Sequence, residues 1–374
     1  MLHSHTWVEI SAAAIRHNFE IFKNLVGCDV DVIPVIKSNA YGHGMVEVAR
    51  IFSPLCRTLA VASGHEAIEL YSAGIRSSIL ILSFVHPSEI SRLANTNAIL
   101  PVSTLSEARI INRIGKLSRN KIRIHLKVDT GTTRIGVLAD QAINLAKAIT
   151  RFDGINFIGV YSHFADAENI KIETTLRQFD LFKKAISGIK RHGVSLPLTH
   201  IACTAAALRL PPSHLKAVRL GIGLYGLWPA ESIKQTYRSK FHLQPALSWH
   251  TKVIQIKRIP AGTSIGYGSS YTVNRKSTIA ILPVGYWDGF DRKLSNNCDV
   301  LIGGRLCPVV GRICMNLTMV DVTKVPRVKV GDKVTLIGCQ GYKQITVEDM
   351  AGRTGTIHYE IVTRINPLLP RIII

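Results

Sequence analysis

The sequence predicts an α/β protein that begins with a (β/α)8 barrel of the TIM type and continues with a smaller, mainly β domain. Over roughly the first 230 residues, short runs rich in Val, Ile and Leu alternate with amphipathic stretches. The runs are apolar throughout, as expected for parallel strands covered by helices on both faces. After about Pro229, strand-like runs punctuated by Gly and Pro take over.

The first region contains eight candidate strands, each followed by a loop or a helix-like stretch. The candidate strands are 32–37, 59–63, 78–83, 99–103, 122–129, 157–163, 198–203 and 217–225. The helix-like stretches are 45–52, 66–72, 88–94, 106–117, 141–151 and 174–191. Eight such units match a closed barrel. A doubly wound open sheet is the alternative, but no GxGxxG follows the first strand, which disfavours its dinucleotide-binding form.

We expect a barrel domain over residues 1–235, from which the first ten or so residues could join the second domain at 236–374. The candidate strands of the second domain are 248–258, 277–282, 300–302, 309–315, 318–322 and 333–337. Two short helices are expected at 346–351 and 358–363. The stretch 230–244 is polar and mixed, and we interpret it as a linker.

The composition favours a two-domain globular protein and disfavours membrane-spanning, disulfide-rich and nucleic-acid-binding classes. A length of 374 residues and a hydrophobic fraction of 47% suit two well-packed domains. No apolar run is long enough to span a membrane, and the N-terminus lacks the pattern of a signal peptide. The seven cysteines are scattered without a CxxC pair, which indicates reduced thiols in a cytoplasmic protein and no structural metal. The net charge of +21 is spread along the chain, so we expect no nucleic-acid partner.

Lys37 is the first candidate for chemistry, because it ends an apolar run that should be buried. A partly desolvated lysine loses proton affinity and becomes a nucleophile able to form a Schiff base with a carbonyl. The plain alternative is a lysine whose stem leaves the core and whose amine reaches water.

Further polar residues fall at the carboxyl ends of the later barrel strands, where barrel enzymes place their active sites. His163 ends the sixth strand, Thr204 follows the seventh, and Arg219 lies in the eighth, just before Gly221 and Ile222. The Thr204 hydroxyl and the backbone amides after Arg219 would suit a phosphate. Taken singly, His163 could be a hydrogen-bonded core histidine and Thr204 a helix cap.

Eight motifs in order along the chain resemble those of the alanine racemases, which are pyridoxal-phosphate enzymes. They are VIKSNAYGHG at 35–44, HLKVDTG at 125–131, RIG at 134–136, SHFA at 162–165, VRLGIGLYG at 218–226, GYG at 266–268, LPVGYWDG at 282–289 and VGRICM at 310–315. The resemblance implies a barrel enzyme that interconverts L- and D-alanine as a homodimer with composite active sites. If the source is bacterial, its D-alanine would feed cell-wall synthesis.

The resemblance also implies individual roles. Lys37 would carry pyridoxal 5′-phosphate and act as one of two catalytic bases, and Tyr267 of the partner subunit would be the other. Arg219 would face the pyridine nitrogen, and His163 would brace the ring. The positions that match the phosphate side are Tyr41, Thr204, Gly221, Ile222 and Tyr359.

The remaining implied roles concern the substrate. Arg134 and the backbone of Met315 match the groups that hold its carboxylate, and Lys127 aligns with a lysine that is often carbamylated and then positions the arginine. Tyr286 and Cys314 are expected as supporting residues. The chain departs from the family where Cys203-Thr204 replaces Asn-Ser and where Asn316 replaces Asp.

Three other functions compete with alanine racemisation. A broad-specificity amino-acid racemase differs only in the size of the pocket. A related barrel decarboxylase of basic amino acids also holds pyridoxal phosphate through a strand-1 lysine, but Arg219 and Tyr267 disfavour it. A non-catalytic cofactor-binding protein would need only the barrel, so the second domain disfavours it.

Overall fold

The computed structural model describes residues 4–374. Its contacts divide the chain into two compact units. The barrel unit comprises Ala13–Ala40 and Val48–Pro245, and the β unit comprises the residues up to Ala12, Tyr41–Glu47 and Ala246–Ile374. The division at Pro245 lies ten residues beyond the expected one, because the 230–244 stretch packs with the barrel.

The strands in chain order are β1 (Trp7–Ile10), β2 (Asp31–Pro34), β3 (Thr58–Val61), β4 (Ser78–Ile81), β5 (Ala98–Val102), β6 (Ile122–Asp129), β7 (Val137–Leu138), β8 (Ile155–Tyr161), β9 (Leu198–His200), β10 (Ala217–Leu220), β11 (Leu247–Lys252), β12 (Gln255–Ile259), β13 (Ser264–Ile265), β14 (Tyr271–Thr272), β15 (Ser277–Leu282), β16 (Asp299–Ile302), β17 (Arg305–Pro308), β18 (Thr318–Asp321), β19 (Lys333–Gln340), β20 (Lys343–Ile345) and β21 (Arg371–Ile373).

The helices are α1 (Ala12–Val26), α2 (Lys37–Tyr41), α3 (Met45–Phe52), α4 (Gly64–Ser72), α5 (Pro87–Leu93), α6 (Leu105–Leu117), α7 (Ala142–Ile149), α8 (Glu173–Arg191), α9 (Thr204–Arg209), α10 (Glu231–Tyr237), α11 (Val347–Thr354) and α12 (His358–Thr363). The segment α2 is a single left-handed turn. None of the helices within residues 4–374 is both long enough and apolar enough to cross a membrane.

The barrel unit is a closed parallel barrel. Its eight strands pair in the order β2-β10-β9-β8-β6-β5-β4-β3. The ring closes because Val35 bridges Ala60 in parallel and the Ile36 amide donates to the Ala60 carbonyl at 2.8 Å. This closure confirms the predicted barrel and rules out the open sheet.

Amphipathic helices cover the barrel. Helices α4 and α6 begin with capping boxes, in which Ser63 and Thr104 pair reciprocally with Glu66 and Glu107. The interpretation of 230–244 as a linker is wrong in part, because α10 lies within it. The 15-residue helix α1 was also not anticipated.

The β unit contains antiparallel strands and two short helices. One sheet has the order β17-β16-β19-β11-β1-β21 with β20 on β19, another has the order β12-β15-β18, and β13 pairs with β14. Strand β1 lies between β11 and β21, so the N-terminal residues belong to this unit.

Two strand predictions in the β unit are wrong. Residues 248–258 form two strands, because the chain breaks between β11 and β12. Residues 309–315 form a loop in which only Val309 makes a bridge, to Val320. Gly311 has a φ of 78°, and its amide donates to the Asn296 side chain at 2.6 Å, so the loop satisfies its backbone outside a sheet.

Candidate active site

Lys37 follows β2 at the carboxyl rim of the barrel and begins the left-handed turn α2. Ser38, Asn39 and Ala40 have φ values of 55°, 53° and 51°. Each such residue costs roughly 1 kcal/mol relative to right-handed geometry, so surrounding bonds must hold the turn. The Ala40 amide donates to the Ile36 carbonyl at 2.9 Å, and the Ser38 amide donates to Glu66 Oε1 at 2.6 Å.

The surroundings of the Lys37 amine lower its pKa. Burial lowers its pKa from the ordinary value, the positive charge of Arg134 lowers it further, and the carboxylate of Glu66 acts in the opposite direction. A lowered pKa leaves more of the amine unprotonated and so able to act as a nucleophile or a base. Lys37 is half-buried, and its catalytic role stays a prediction.

Arg219 lies in β10 and is 4% exposed. Its Nη1 donates to His200 Nδ1 at 2.5 Å, and its Nη2 donates to the carbonyls of Ser162 and Ile201 at 2.6 and 3.1 Å and to His163 Nδ1 at 3.2 Å. Burial lowers its pKa to about 10, which keeps it charged near neutral pH. Within residues 4–374 the Nε–H and the second Nη1–H have no acceptor, so two donors remain for a bound group.

The guanidinium fixes the hydrogen positions of the histidines beside it. Because Arg219 only donates, His200 Nδ1 accepts and His200 Nε2 carries the hydrogen that is donated to His125 Nδ1 at 3.1 Å. Burial, followed by the charge of Arg219, lowers the pKa of His125 and of His163 to about 3 and that of His200 well below its usual range. These imidazoles are therefore neutral, and the arginine keeps its proton.

Lys127 and Arg134 add two more nitrogen cations to this rim. Lys127 Nζ donates to the Leu82 carbonyl at 2.8 Å, and burial, followed by Arg134 and Arg219, lowers its pKa to about 8. The Arg134 side chain is exposed and has no acceptor among the described residues. Its loop is held by Asp129, whose carboxylate accepts four backbone amides from Gly131 to Arg134.

The ends of β9 and β10 form a compact backbone cradle. Thr204 begins α9, and its Oγ1 accepts the Gly221 amide at 3.2 Å. A 3-10 helix begins at Ile222, where the first amides have no partner within the helix. A Cβ on Gly223 would lie 2.6 Å from Thr204 Cγ2, so only glycine allows this close approach.

The other predicted site residues lie in the β unit. The rings of Tyr41 and Tyr359 lie 6.2 Å apart. Tyr267 stands between Gly266 and Gly268, which have φ values of 74° and 69°, and it is 72% exposed.

Tyr286, Cys314 and Met315 form a second group in the β unit. The Tyr286 amide donates to the Cys314 carbonyl at 3.1 Å, and the Trp287 amide donates to the Met315 carbonyl at 3.0 Å. The Met315 amide has no acceptor among the described residues. Met315, Tyr286 and Trp287 are 55%, 43% and 59% exposed, so this group faces outward in the single chain.

The structure thus gathers Lys37, Lys127, Arg134, His163 and Arg219 on one rim, with Thr204, Gly221 and Ile222 in the cradle beside the last strand. Three residues of this region, Glu66, His125 and His200, were not predicted as site residues. The sequence contains two weak signals for them. One is the capping spacing from Ser63 to Glu66, and the other is the presence of His125 and His200 within apolar strands.

A closed parallel barrel whose rim combines a lysine, a buried arginine and an amide cradle defines an enzyme for a small anionic ligand. Two family models, "Alanine racemase, N-terminal domain" and "Alanine racemase, C-terminal domain", match residues 10–229 and 246–373.

Relatives match the chain along its whole length. An alanine racemase of Halothermothrix orenii is 39% identical over 367 residues, which are 98% of this chain and 96% of that protein. One of Methanococcus maripaludis is 39% identical over 98% of both chains. The solved structure of alanine racemase from Clostridium difficile 630 has a TM-score of 0.95 and 34% identity, and covers 100% of this chain and 97% of its own. The chain belongs to the alanine racemase family.

Proposed function

We propose that the chain interconverts L- and D-alanine, with pyridoxal 5′-phosphate as its cofactor. The rim of the barrel unit is the observation that carries this proposal. It combines a lysine of lowered pKa with a buried arginine that stays protonated and donates to two neutral histidines.

The residues present fit the cofactor in three ways. Lys37 suits its aldehyde, the unpaired Nε–H of Arg219 suits its pyridine nitrogen, and the amides near Ile222 with the Thr204 hydroxyl suit its phosphate. Tyr41 and Tyr359 are proposed as further phosphate ligands, and His163 as a brace for the ring. When bound, pyridoxal phosphate supplies a conjugated ring that withdraws electron density from Cα.

The substrate carboxylate requires a cation that is not already paired. The Arg134 guanidinium and the Met315 amide have no acceptor among the described residues, and we assign the carboxylate to Arg134 and to Met315 of the partner subunit. A neutral Lys127 amine could add CO2 and lose a proton, which would give a carbamate whose negative charge orients Arg134. Asn316 has no carboxylate to compete with the substrate for this arginine.

Racemisation removes a proton from one face of Cα and returns one to the other face, so two bases are needed. We assign one face to the Lys37 amine and the other to the Tyr267 hydroxyl. Arg219 holds its own proton because its pKa, at about 10, lies above neutral pH. Arg219 would therefore not protonate the ring nitrogen, which would favour return of the proton to Cα over side reactions.

The exposure of Tyr267, Tyr286, Trp287 and Met315 supports a homodimer in which a second copy covers this part of the β unit. Tyr267 would then act in the partner subunit's site, with Tyr286 and Cys314 supporting it. The scattered cysteines support a cytoplasmic enzyme.

The test is incubation of the purified chain, loaded with pyridoxal phosphate, with L-alanine in deuterated water. Formation of D-alanine with deuterium at Cα is expected, and a panel of other L-amino acids under the same conditions measures the breadth of substrates. Release of CO2 from a basic amino acid would support the decarboxylase instead. Absence of both reactions in protein that binds the cofactor would support the non-catalytic alternative.

A further inference from the structure

Glu66 makes a contact that its capping role does not require. In α4 its carboxylate accepts the amides of Ala62 and Ser63 through Oε2, at 2.6 and 3.3 Å. The other oxygen, Oε1, accepts the Ser38 amide at 2.6 Å. One side chain thus joins the start of a barrel helix to the residue that follows Lys37.

We propose that Glu66 is a positioning residue, whose carboxylate holds the left-handed turn after Lys37 and thereby fixes the place of the lysine amine. The proposal rests on the proposed function of Lys37. Residues 38–41 all have φ values between 51° and 55°, and none is glycine. A turn of this kind persists only where its surroundings determine it, and the bond from Ser38 to Glu66 is one of those restraints.

The charge of Glu66 acts on Lys37 as well. The groups that face the amine are Arg134, which lowers its pKa, and Glu66, which raises it. Lys127 and His163 also lie within electrostatic range of Lys37, but the unmodified Lys127 amine, with a pKa of about 8, is mainly cationic at neutral pH, and His163 is neutral. In the unmodified chain, Glu66 is therefore the carboxylate whose negative charge opposes these positive charges at Lys37.

The chain offers a matched control in Glu107. Its Oε2 accepts the amides of Ser103 and Thr104 at 2.7 and 3.1 Å, which reproduces the capping box of α4 without a bond to the lysine turn. Glu66→Gln and Glu107→Gln both replace one carboxylate oxygen of a capping box by an amide NH2. Only Glu66→Gln removes a charge next to Lys37.

The first two measurements use the full-length chain without cofactor, so they do not depend on activity. Hydrogen exchange of the peptide covering residues 38–41 should speed up about tenfold in Glu66→Gln and stay unchanged in Glu107→Gln. Competitive acetylation of Lys37 across pH should give a lower pKa in Glu66→Gln only. Glu66→Asp keeps the charge but is too short to keep all three bonds, so it should speed exchange and leave the Lys37 pKa near that of the parent.

The third measurement is racemisation by the protein loaded with pyridoxal phosphate. In Glu66→Gln, kcat should fall about tenfold or more while KM for alanine changes less than threefold, since the base and not the carboxylate site is displaced. Glu107→Gln should stay within about twofold of the parent. If Glu66→Gln and Glu107→Gln behave alike in exchange and labelling, Glu66 is only a cap and the proposal is overturned. If the parent does not racemise alanine, exchange and labelling still decide the role of Glu66.

If Glu66→Gln does not fold, the hydrogen-exchange and acetylation measurements are made on Glu66→Asp only. Slow exchange at 38–41 in a folded Glu66→Asp protein, equal to that of the parent, would also overturn the proposal.

Discussion

The barrel unit and the β unit present their candidate residues in opposite ways. Arg219 and Lys127 are 4% and 6% exposed, and each bonds to protein carbonyls. Tyr267 and Met315 are 72% and 55% exposed. Arg219 and Lys127 are therefore held within one chain, whereas Tyr267 and Met315 are left open for a second copy to cover in the proposed homodimer.

The largest effect is expected at the lysine. Lys37→Ala should reduce racemisation by more than about 10³-fold, because it removes both the covalent anchor of the cofactor and one base. The measurement is D-alanine formation from L-alanine, with the exposed Lys184→Ala as control. A Lys37→Ala protein that kept a tenth of the parent rate would remove the barrel lysine from the mechanism.

Tyr267→Phe tests the exposed tyrosine of the β unit as the second base. Racemisation should fall by roughly 10²- to 10⁴-fold, because one face of Cα loses its base. Lys37 remains, so exchange of the α-proton with deuterated solvent should persist for one enantiomer. Equal loss of exchange with both enantiomers would argue against a base on each face.

Arg219→Glu should change the outcome of the reaction as well as its rate. A carboxylic acid can share its proton with the ring nitrogen, whereas arginine keeps its own. The cofactor would then withdraw electron density from Cα more strongly, and less of the proton would return to Cα. Pyruvate formed from alanine should rise above the background of the parent. Arg219→Lys keeps the positive charge and should show no such rise; pyruvate at parent levels in Arg219→Glu would contradict the assignment.

Acid should weaken the barrel unit through its buried histidines. The pKa of His125 falls from about 6.5 in the unfolded chain to about 3 in the folded protein, so the unfolded chain takes up a proton first as the pH drops. The resulting stability is fully present above about pH 6.5 and is lost toward pH 3, at roughly 1 kcal/mol per pH unit. Denaturant titrations should show a shallower decline in His125→Gln, in which the side-chain oxygen still accepts from His200; an unchanged slope would count against a neutral His125.

The smallest effect is expected from a helix cap in each unit. Thr346 caps α11 in the β unit as Thr104 caps α6 in the barrel, each by accepting an amide three residues on. Replacing either threonine by alanine should cost about 1 kcal/mol of unfolding free energy and leave racemisation within about twofold. Calorimetry of both variants would show whether the loss is confined to the unit that carries the cap, and a large drop in racemisation with Thr346→Ala would link that helix to the site.

The barrel could be predicted from the sequence because each of its strands is a short apolar run bounded by polar residues. The run 309–315 had the same composition, yet Gly311 turns it into a loop, and apolar content alone does not distinguish the two. Lys37 and Arg219 could be found from motifs. The capping spacing of Glu66 and the positions of His125 and His200 in apolar runs do not by themselves indicate a role, because that role depends on contacts between segments far apart in the chain, such as the bond from Ser38 to Glu66.

In the proposed homodimer, Lys37 of one subunit and Tyr267 of its partner would complete one site. The most direct measurement mixes Lys37→Ala and Tyr267→Phe proteins, each nearly inactive alone, under conditions that exchange subunits. In the mixed dimer one site keeps both intact residues, so a randomised mixture should recover about a quarter of the parent racemase activity. Subunit exchange without recovered activity would show that both residues act within one chain, which would contradict a site shared between two subunits.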